Sequence, residues 1–170
     1  MTEPPRAPRI DDLDARLLAL LHAEPRIGVL ETARRLGVAR GTAQARLDKL
    51  VARGVIRGQG PEISPAALGF GVMAFVTLEI RQSRGHDPVA SHLVTIPEVL
   101  EVHTITGSGD LLCRIVARSN ADLQRVIDQV VSYDEIVRAS TIIALAEQIP
   151  YRVMPLVAAA ANRSDTGISG

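Results

Sequence analysis

The sequence predicts an α+β protein of two modules, in which three helices are followed by a layer of strands and helices. Leu residues recur at helical spacing near the N-terminus, whereas short runs of β-branched residues alternate with turn signals from residue 70 onward. The 170 residues are 46% hydrophobic, which is enough to give both modules a core. We therefore expect a helical module over residues 10–60, a hinge over 61–69 and a strand-containing module over 70–157.

The helical module is predicted to contain a helix-turn-helix. Asp11 or Asp12 caps the first helix, a second helix covers residues 29–36, and a third covers residues 40–53. Gly37 lies in the tight turn between the second and third helices, and two short helices joined in this way are typical of the motif. The third helix is then the element expected to enter a DNA groove.

Charge is distributed unevenly along the chain. The formal net charge of the whole sequence is zero, yet residues 26–60 carry a net charge of +6 and residues 70–157 carry −3. Such asymmetry indicates a segment that binds a polyanion, although an Arg-rich solvated surface on a plain three-helix bundle gives the same count. Arg57 and Gln59 are expected to form a small wing beside the third helix, so that the motif is a winged helix-turn-helix. The predicted DNA-binding residues are Arg40, Thr42, Gln44, Arg46, Lys49, Arg53 and Arg57.

The second module is predicted to be a ferredoxin-like βαββαβ sandwich. Asp87 and Pro88 form one helix start, and Ser119 with Asp122 forms another that resembles a capping box. The predicted strands are 72–80, 99–106, 111–117 and 136–147. Outside the two modules, residues 1–9 and 158–170 are expected to be a disordered arm and a disordered tail.

Two of these strands are apolar on both of their alternating faces. Because residues 111–117 and 136–146 leave no polar face, the side of the sheet away from the helices is expected to be buried as well. A second copy of the chain is the simplest cover, so we predict a homo-oligomer.

The turn between the second and third strands is a candidate ligand site. Its two glycines permit backbone conformations that expose N–H groups, which suit a carboxylate, while a serine and an aspartate suit an ammonium group. A plain hairpin turn has the same composition. Thr141 on the last strand is expected to approach this place. The predicted site residues are Thr106, Gly107, Ser108, Gly109, Asp110 and Thr141.

Several classes of function are disfavoured by composition. The single cysteine, Cys113, lies in an apolar run and is expected to be a core residue. The four histidines form no pair with metal-ligand spacing, and no catalytic arrangement of nucleophile and base is apparent, so no catalytic residue, metal or cofactor is expected. There is no apolar run long enough for a membrane span and no secretory leader, which suits a cytoplasmic protein.

With these motifs in place, the chain resembles the Lrp/AsnC, or feast/famine, family of transcriptional regulators over about residues 10–156. Residues 10–18, Ile-Asp-Asp-Leu-Asp-Ala-Arg-Leu-Leu, resemble the signature of the family's first helix. Residues 106–112, Thr-Gly-Ser-Gly-Asp-Leu-Leu, resemble the turn of its effector-binding domain. The family usually begins its recognition helix with Ser and Pro, where this chain has Ala39 and Arg40.

The resemblance implies a regulator that binds double-stranded DNA. It also implies dimers that assemble further, to species such as octamers, and amino acids that bind near the turn at contacts between dimers and alter DNA affinity or assembly. Two alternatives stay open. One is a haem-biosynthetic decarboxylase-like subunit of the same architecture, with His103 as its candidate catalytic residue. The other is a DNA-architectural protein without an effector.

Overall fold

The computed structural model describes residues 10–58, 60–81 and 86–165, and the chain divides into two compact units. One unit is formed by Met1–Pro61 together with Pro150–Gly170, and the other by Glu62–Ile149. The chain therefore leaves the first unit, completes the second and returns to the first. The sequence did not predict this return, because it assigned residues up to 157 to the second module.

Three helices open the first unit: α1 (Asp12–Ala23), α2 (Val29–Leu36) and α3 (Arg40–Ala52). α1 begins with a capping box, in which the Asp11 carboxylate accepts from the Asp14 N–H at 2.8 Å. α2 ends at Gly37, whose φ of 70° is the left-handed conformation that glycine adopts without steric cost. Leu17, Leu36 and Leu50 bring the three helices together around one core.

The second unit is a four-stranded antiparallel sheet with two helices. Its elements are β1 (Val72–Ile80), α4 (Asp87–Leu93), β2 (Val99–Thr104), β3 (Leu111–Ala117), α5 (Asn120–Val131) and β4 (Ile136–Ala144). The spatial order is β2-β3-β1-β4, with every neighbouring pair antiparallel. The predicted ferredoxin-like order is confirmed, and β2 and β4 are shorter than expected.

The two faces of this sheet differ in what covers them. On β1, Ala74, Val76 and Leu78 point to one face and are fully buried in a core that includes Val89 of α4 and Val126 of α5. Cys113 of β3 lies opposite Val76 in the same core, as expected, and burial raises the pKa of its thiol to about 11. The other face, which we call the open face, carries half-buried and exposed side chains in the single chain.

A sixth helix, α6 (Met154–Asp165), corrects the prediction of a disordered tail from residue 158. It packs against α1 in the first unit. Val157 and Ala161, four residues apart on one side of α6, are both buried. The four consecutive alanines at 158–161 favour a helix strongly, and the polar composition that suggested a tail begins only at Asn162.

Some predicted features fall on residues outside the described ranges. These are the arm over residues 1–9, the last part of the tail over 166–170, and Gln59 of the expected wing. In the described part of the chain, no helix is both long and apolar enough to cross a bilayer.

Candidate DNA-binding surface and effector turn

The orientation of α3 is set by two residues on its inner side. Ala43 and Leu50 are buried against α1 and α2, so the opposite side of α3 faces solvent. The predicted DNA-binding residues that lie exposed on α3 and just after it are Arg40, Thr42, Gln44, Lys49, Arg53 and Arg57. The start of α3 has no side-chain cap, because Ala39 has no acceptor to offer.

Small residues occupy the middle of the exposed side of α3. Gly41 and Ala45 are exposed and one turn apart, with Arg40 and Gln44 on one flank and Lys49 on the other. Because Gly41 and Ala45 have small side chains, the backbone of α3 can closely approach a binding partner on this side of the helix. Gln44 also donates to Asp48 at 2.8 Å, so Asp48 pairs with an amide of the same helix.

Arg46 is placed differently from the other predicted DNA-binding residues. Its side chain is only 29% exposed, and its Nη1 donates to the carboxylates of Asp11 and, at 3.0 Å, Asp14. Partial desolvation works to raise the pKa of Asp11, but the hydrogen bonds from Arg46 and the Asp14 N–H and the charges of Arg46 and Lys49 hold it below its ordinary value. Arg46 thus faces α1, whereas we expected it to be free for DNA.

The two arginines of α2 are also paired. Arg34 forms a bidentate pair with Glu31 at 2.8 and 2.9 Å, and Arg35 donates to the same carboxylate at 3.1 Å. These hydrogen bonds, of which that from Arg34 contributes most, lower the pKa of Glu31 to about 2.

The cations on and after α3 are not paired in this way. Among the described residues, no carboxylate lies within ion-pair distance of Arg40, Lys49, Arg53 or Arg57. The uncompensated positive charge of the segment is therefore concentrated on α3 and directly after it.

The candidate effector turn, 106–110, is held by contacts with β1. Asp110 donates its N–H to the Leu78 carbonyl at 2.9 Å, and its carboxylate accepts from the Ile80 N–H at 2.8 Å. A Cβ on Gly109 would overlap the Cγ2 of Thr77 and lie 3.2 Å from the Leu78 carbonyl oxygen. Gly109 and Asp110 therefore hold the turn against β1. The exposed residues of the turn are Thr106, Gly107 and Ser108.

Thr141 does not reach this turn within one chain. On β4, Thr141 pairs with Val76 of β1, and β1 separates β4 from β3 in the sheet. Two strand spacings, roughly 10 Å, therefore lie between Thr141 and β3. The sequence prediction brought the two together because alternation along a strand does not give the order of strands in space.

A groove of 340 Å³ on the helical side of the sheet was not predicted. Its lining includes His92, Glu98, Arg125 and Gln129. Arg125 donates to Glu98 at 2.6 Å and to Asp122 at 2.8 Å, so its charge is compensated. The described residues contain no group of three His, Cys, Asp or Glu side chains able to hold a metal ion. His103, the candidate of the enzyme alternative, is exposed and lies 3.7 Å from Glu101.

Each of the two units matches a known protein family. Residues 10–57 match the family described as winged helix-turn-helix DNA-binding, and residues 72–154 match the Lrp/AsnC ligand binding domain. The regulatory protein AsnC of Escherichia coli strain K12 is 30% identical over 147 residues, which cover 86% of this chain and 97% of AsnC. The transcriptional regulator AldR of Mycolicibacterium smegmatis is 34% identical over 125 residues, 72% of each chain.

Solved structures of related regulators are also similar to this chain. The structure of E. coli AsnC superposes with a TM-score of 0.79 at 29% identity, covering 86% of this chain and 99% of that one. A feast or famine regulatory protein of M. tuberculosis, solved in complex with L-methionine, has a TM-score of 0.74 at 26% identity, covering 84% of this chain and 97% of that one.

Proposed function

This chain belongs to the Lrp/AsnC family of transcriptional regulators, and we propose that it binds double-stranded DNA through α3 and responds to an amino acid. The response alters DNA affinity or the oligomeric state. The family resemblance predicted from the sequence is confirmed. The observation that carries the DNA proposal is the set of exposed, uncompensated cations on and after α3.

In this proposal α3 is the recognition helix, and its N-terminal end carries base contacts. Arg40, Thr42 and Gln44 are of the types that pair with base edges in the major groove. Lys49, Arg53 and Arg57 neutralise phosphates and supply affinity that falls with salt. The small side chains of Gly41 and Ala45 allow the helix to lie deep in the groove.

Salt titrations test the assignment of phosphate contacts. Lys49→Ala and Arg53→Ala should each weaken binding to a duplex and lower the slope of log affinity against log salt by about 0.9 per lost phosphate contact. Arg34→Ala is the matched control, because Glu31 already compensates that charge, and its slope should equal that of the parent. Equal slopes for all three variants and the parent would contradict the assignment.

We further propose that a second copy of the chain covers the open face of the sheet. Phe75 is 37% exposed and Ile142, its partner across β1 and β4, is 65% exposed. Met73 and Leu112 on the same face are half-buried. Apolar side chains grouped in this way are typical of an interface. The family resemblance supports assembly of such dimers into larger species, such as octamers.

The effector proposal places an amino acid against the exposed part of the turn. Thr106, Gly107 and Ser108 contribute from one chain, and Thr141 contributes from another copy, since it lies away from the turn within its own chain. The L-methionine complex of the M. tuberculosis relative supports an amino acid as ligand. No other cofactor is part of this proposal.

A thermal-shift screen of the twenty amino acids tests the effector. A ligand at about 100 times its dissociation constant should stabilise the protein by about 2.7 kcal/mol. Ser108→Ala should reduce this stabilisation without changing the unfolding of the ligand-free protein, because the side chain is exposed. Absence of any stabilisation by all twenty would contradict amino-acid sensing.

The proposed function is regulatory rather than enzymatic, and it places the protein in the cytoplasm, where bacterial-type regulators meet the chromosome. The names of the relatives, a regulatory protein and a transcriptional regulator, support the regulatory role. The uncompensated cations of α3 also favour DNA binding over the decarboxylase-like alternative, which needs no such surface.

A further inference from the structure

Arg46 is attached to the first turn of α1 by two carboxylates. It lies in the middle of α3, yet its Nη1 donates to Asp11 and Asp14, which are 35 and 32 residues earlier in the chain. The Asp14 side chain is only 5% exposed, and that of Arg46 is 29% exposed. This pair is therefore more shielded from solvent than the ion pairs that Arg34 and Arg35 form on α2.

The capping box of α1 fixes the position of both carboxylates. Asp11 uses Oδ1 to accept the Asp14 N–H at 2.8 Å and Oδ2 to accept from Arg46. Asp14 uses Oδ2 to accept the Asp11 N–H at 3.4 Å and Oδ1 to accept from Arg46 at 3.0 Å. Each carboxylate thus accepts a backbone N–H at the start of α1 with one oxygen and the Arg46 guanidinium with the other. The backbone of α1 therefore fixes the position of both partners of Arg46.

The local charge balance disfavours a phosphate contact by Arg46. The charge of the Arg46 guanidinium is already compensated by two carboxylates, and with the nearby Lys49, whose charge also acts on Asp11, the group is neutral, so Arg46 offers no excess positive charge to a phosphate. Moving the guanidinium to DNA would also leave the Asp14 carboxylate buried without a counter-charge, which is costly.

We propose that Arg46 is a positioning residue for DNA binding: held by Asp11 and Asp14, it sets how α3 lies on α1 and makes no contact with phosphate. This inference rests on the proposed function. It separates Arg46 from Lys49, the next cation along α3, which is exposed and has no carboxylate within ion-pair distance among the described residues.

The experiment compares full-length variants binding to a labelled random-sequence duplex over a range of KCl concentrations. Arg46→Gln should lose affinity severalfold at every salt concentration with an unchanged salt slope, and Arg46→Lys should recover most of the loss. Lys49→Ala is the control, and its salt slope should fall by about 0.9.

Asp14→Asn gives the sharpest test, because it removes a negative charge. Plain electrostatics predicts tighter binding, whereas the positioning role predicts weaker binding.

Stability is measured on the same samples by circular dichroism. The double variant Asp14→Asn/Arg46→Gln leaves no buried charge unpaired, so it should fold and still bind weakly. A slope for Arg46→Gln lower by about 0.9 would show a phosphate contact and overturn the inference. Unchanged affinity in folded Arg46→Gln, or tighter binding by Asp14→Asn, would overturn it too. If the parent binds no duplex at any salt concentration, the proposed function fails, and the inference falls with it.

Discussion

At the level of single residues, the turn between β2 and β3 depends on contacts that its own composition does not reveal. Gly and Asp are common in any hairpin turn. Here Gly109 is needed because Thr77 and the Leu78 carbonyl lie against its α-carbon, and Asp110 is needed because its carboxylate accepts the Ile80 N–H at the end of β1. The conformation of the exposed part of the turn therefore depends on β1.

Gly109→Ala should destabilise the sheet unit by about 1–3 kcal/mol, because the added methyl overlaps Thr77. Thermal unfolding measures this. Gly71→Ala is the matched control: a Cβ there meets no atom within 4 Å, so the change should stay within about 0.5 kcal/mol. Equal melting temperatures for Gly109→Ala and Gly71→Ala would refute the steric argument.

The cap of α1 should make stability depend on pH. The pKa of Asp11 is lower in the folded chain than its ordinary value of 3.8, so folding favours the ionised carboxylate. The stabilisation is then complete above the unfolded pKa and disappears as the pH falls through the folded pKa. Asp11→Asn should therefore be less stable than the parent at neutral pH, with a difference that shrinks below about pH 4. Urea unfolding at several pH values checks this, and a difference that stays constant down to pH 2 would contradict it.

At the level of elements, α6 extends the helical unit beyond the three helices of the motif. Its buried residues, Val157 and Ala161, face α1, while Ala158 and Ala159 are exposed. The match to the family's ligand binding domain ends at residue 154, where α6 begins. α6 thus begins where that match ends, and its apolar side joins the core of the helical unit.

Val157→Asp should destabilise the helical unit by about 2–4 kcal/mol, because it buries a charge without a partner. Ala159→Asp on the exposed side of the same helix is the control, and it should change stability by about 0.5 kcal/mol or less. Both are measured by thermal unfolding of the full chain. Equal effects of the two substitutions would show that α6 does not pack as described.

At the level of the whole molecule, assembly is the property that most depends on the open face. Ile142→Glu should shift the protein to smaller species in light scattering, because a carboxylate would be buried at the proposed interface. Val94→Glu is the control: Val94 is 81% exposed and follows α4, away from the open face, so the assembly should not change. An unchanged mass for Ile142→Glu would place the interface elsewhere.

The sequence by itself determined the order and type of the elements from α1 to β4. α2, β1 and β3 occupy the predicted ranges, because hydrophobic periodicity, capping residues and turn glycines are local signals that act within a few residues. The motifs at residues 10–18 and 106–112 were enough to identify the family. The basic segment was also found from the sequence alone, since a net charge needs no coordinates.

Only the tertiary structure decided which of those residues are free to act. Arg46 meets carboxylates more than thirty residues earlier in the chain, Gly109 meets β1, and Thr141 lies across β1 from the turn that it was expected to join. α6 returns from the far end of the chain to α1. Each outcome depends on contacts between segments distant in sequence, and periodicity along a single segment carries no information about which distant segment will pack against it.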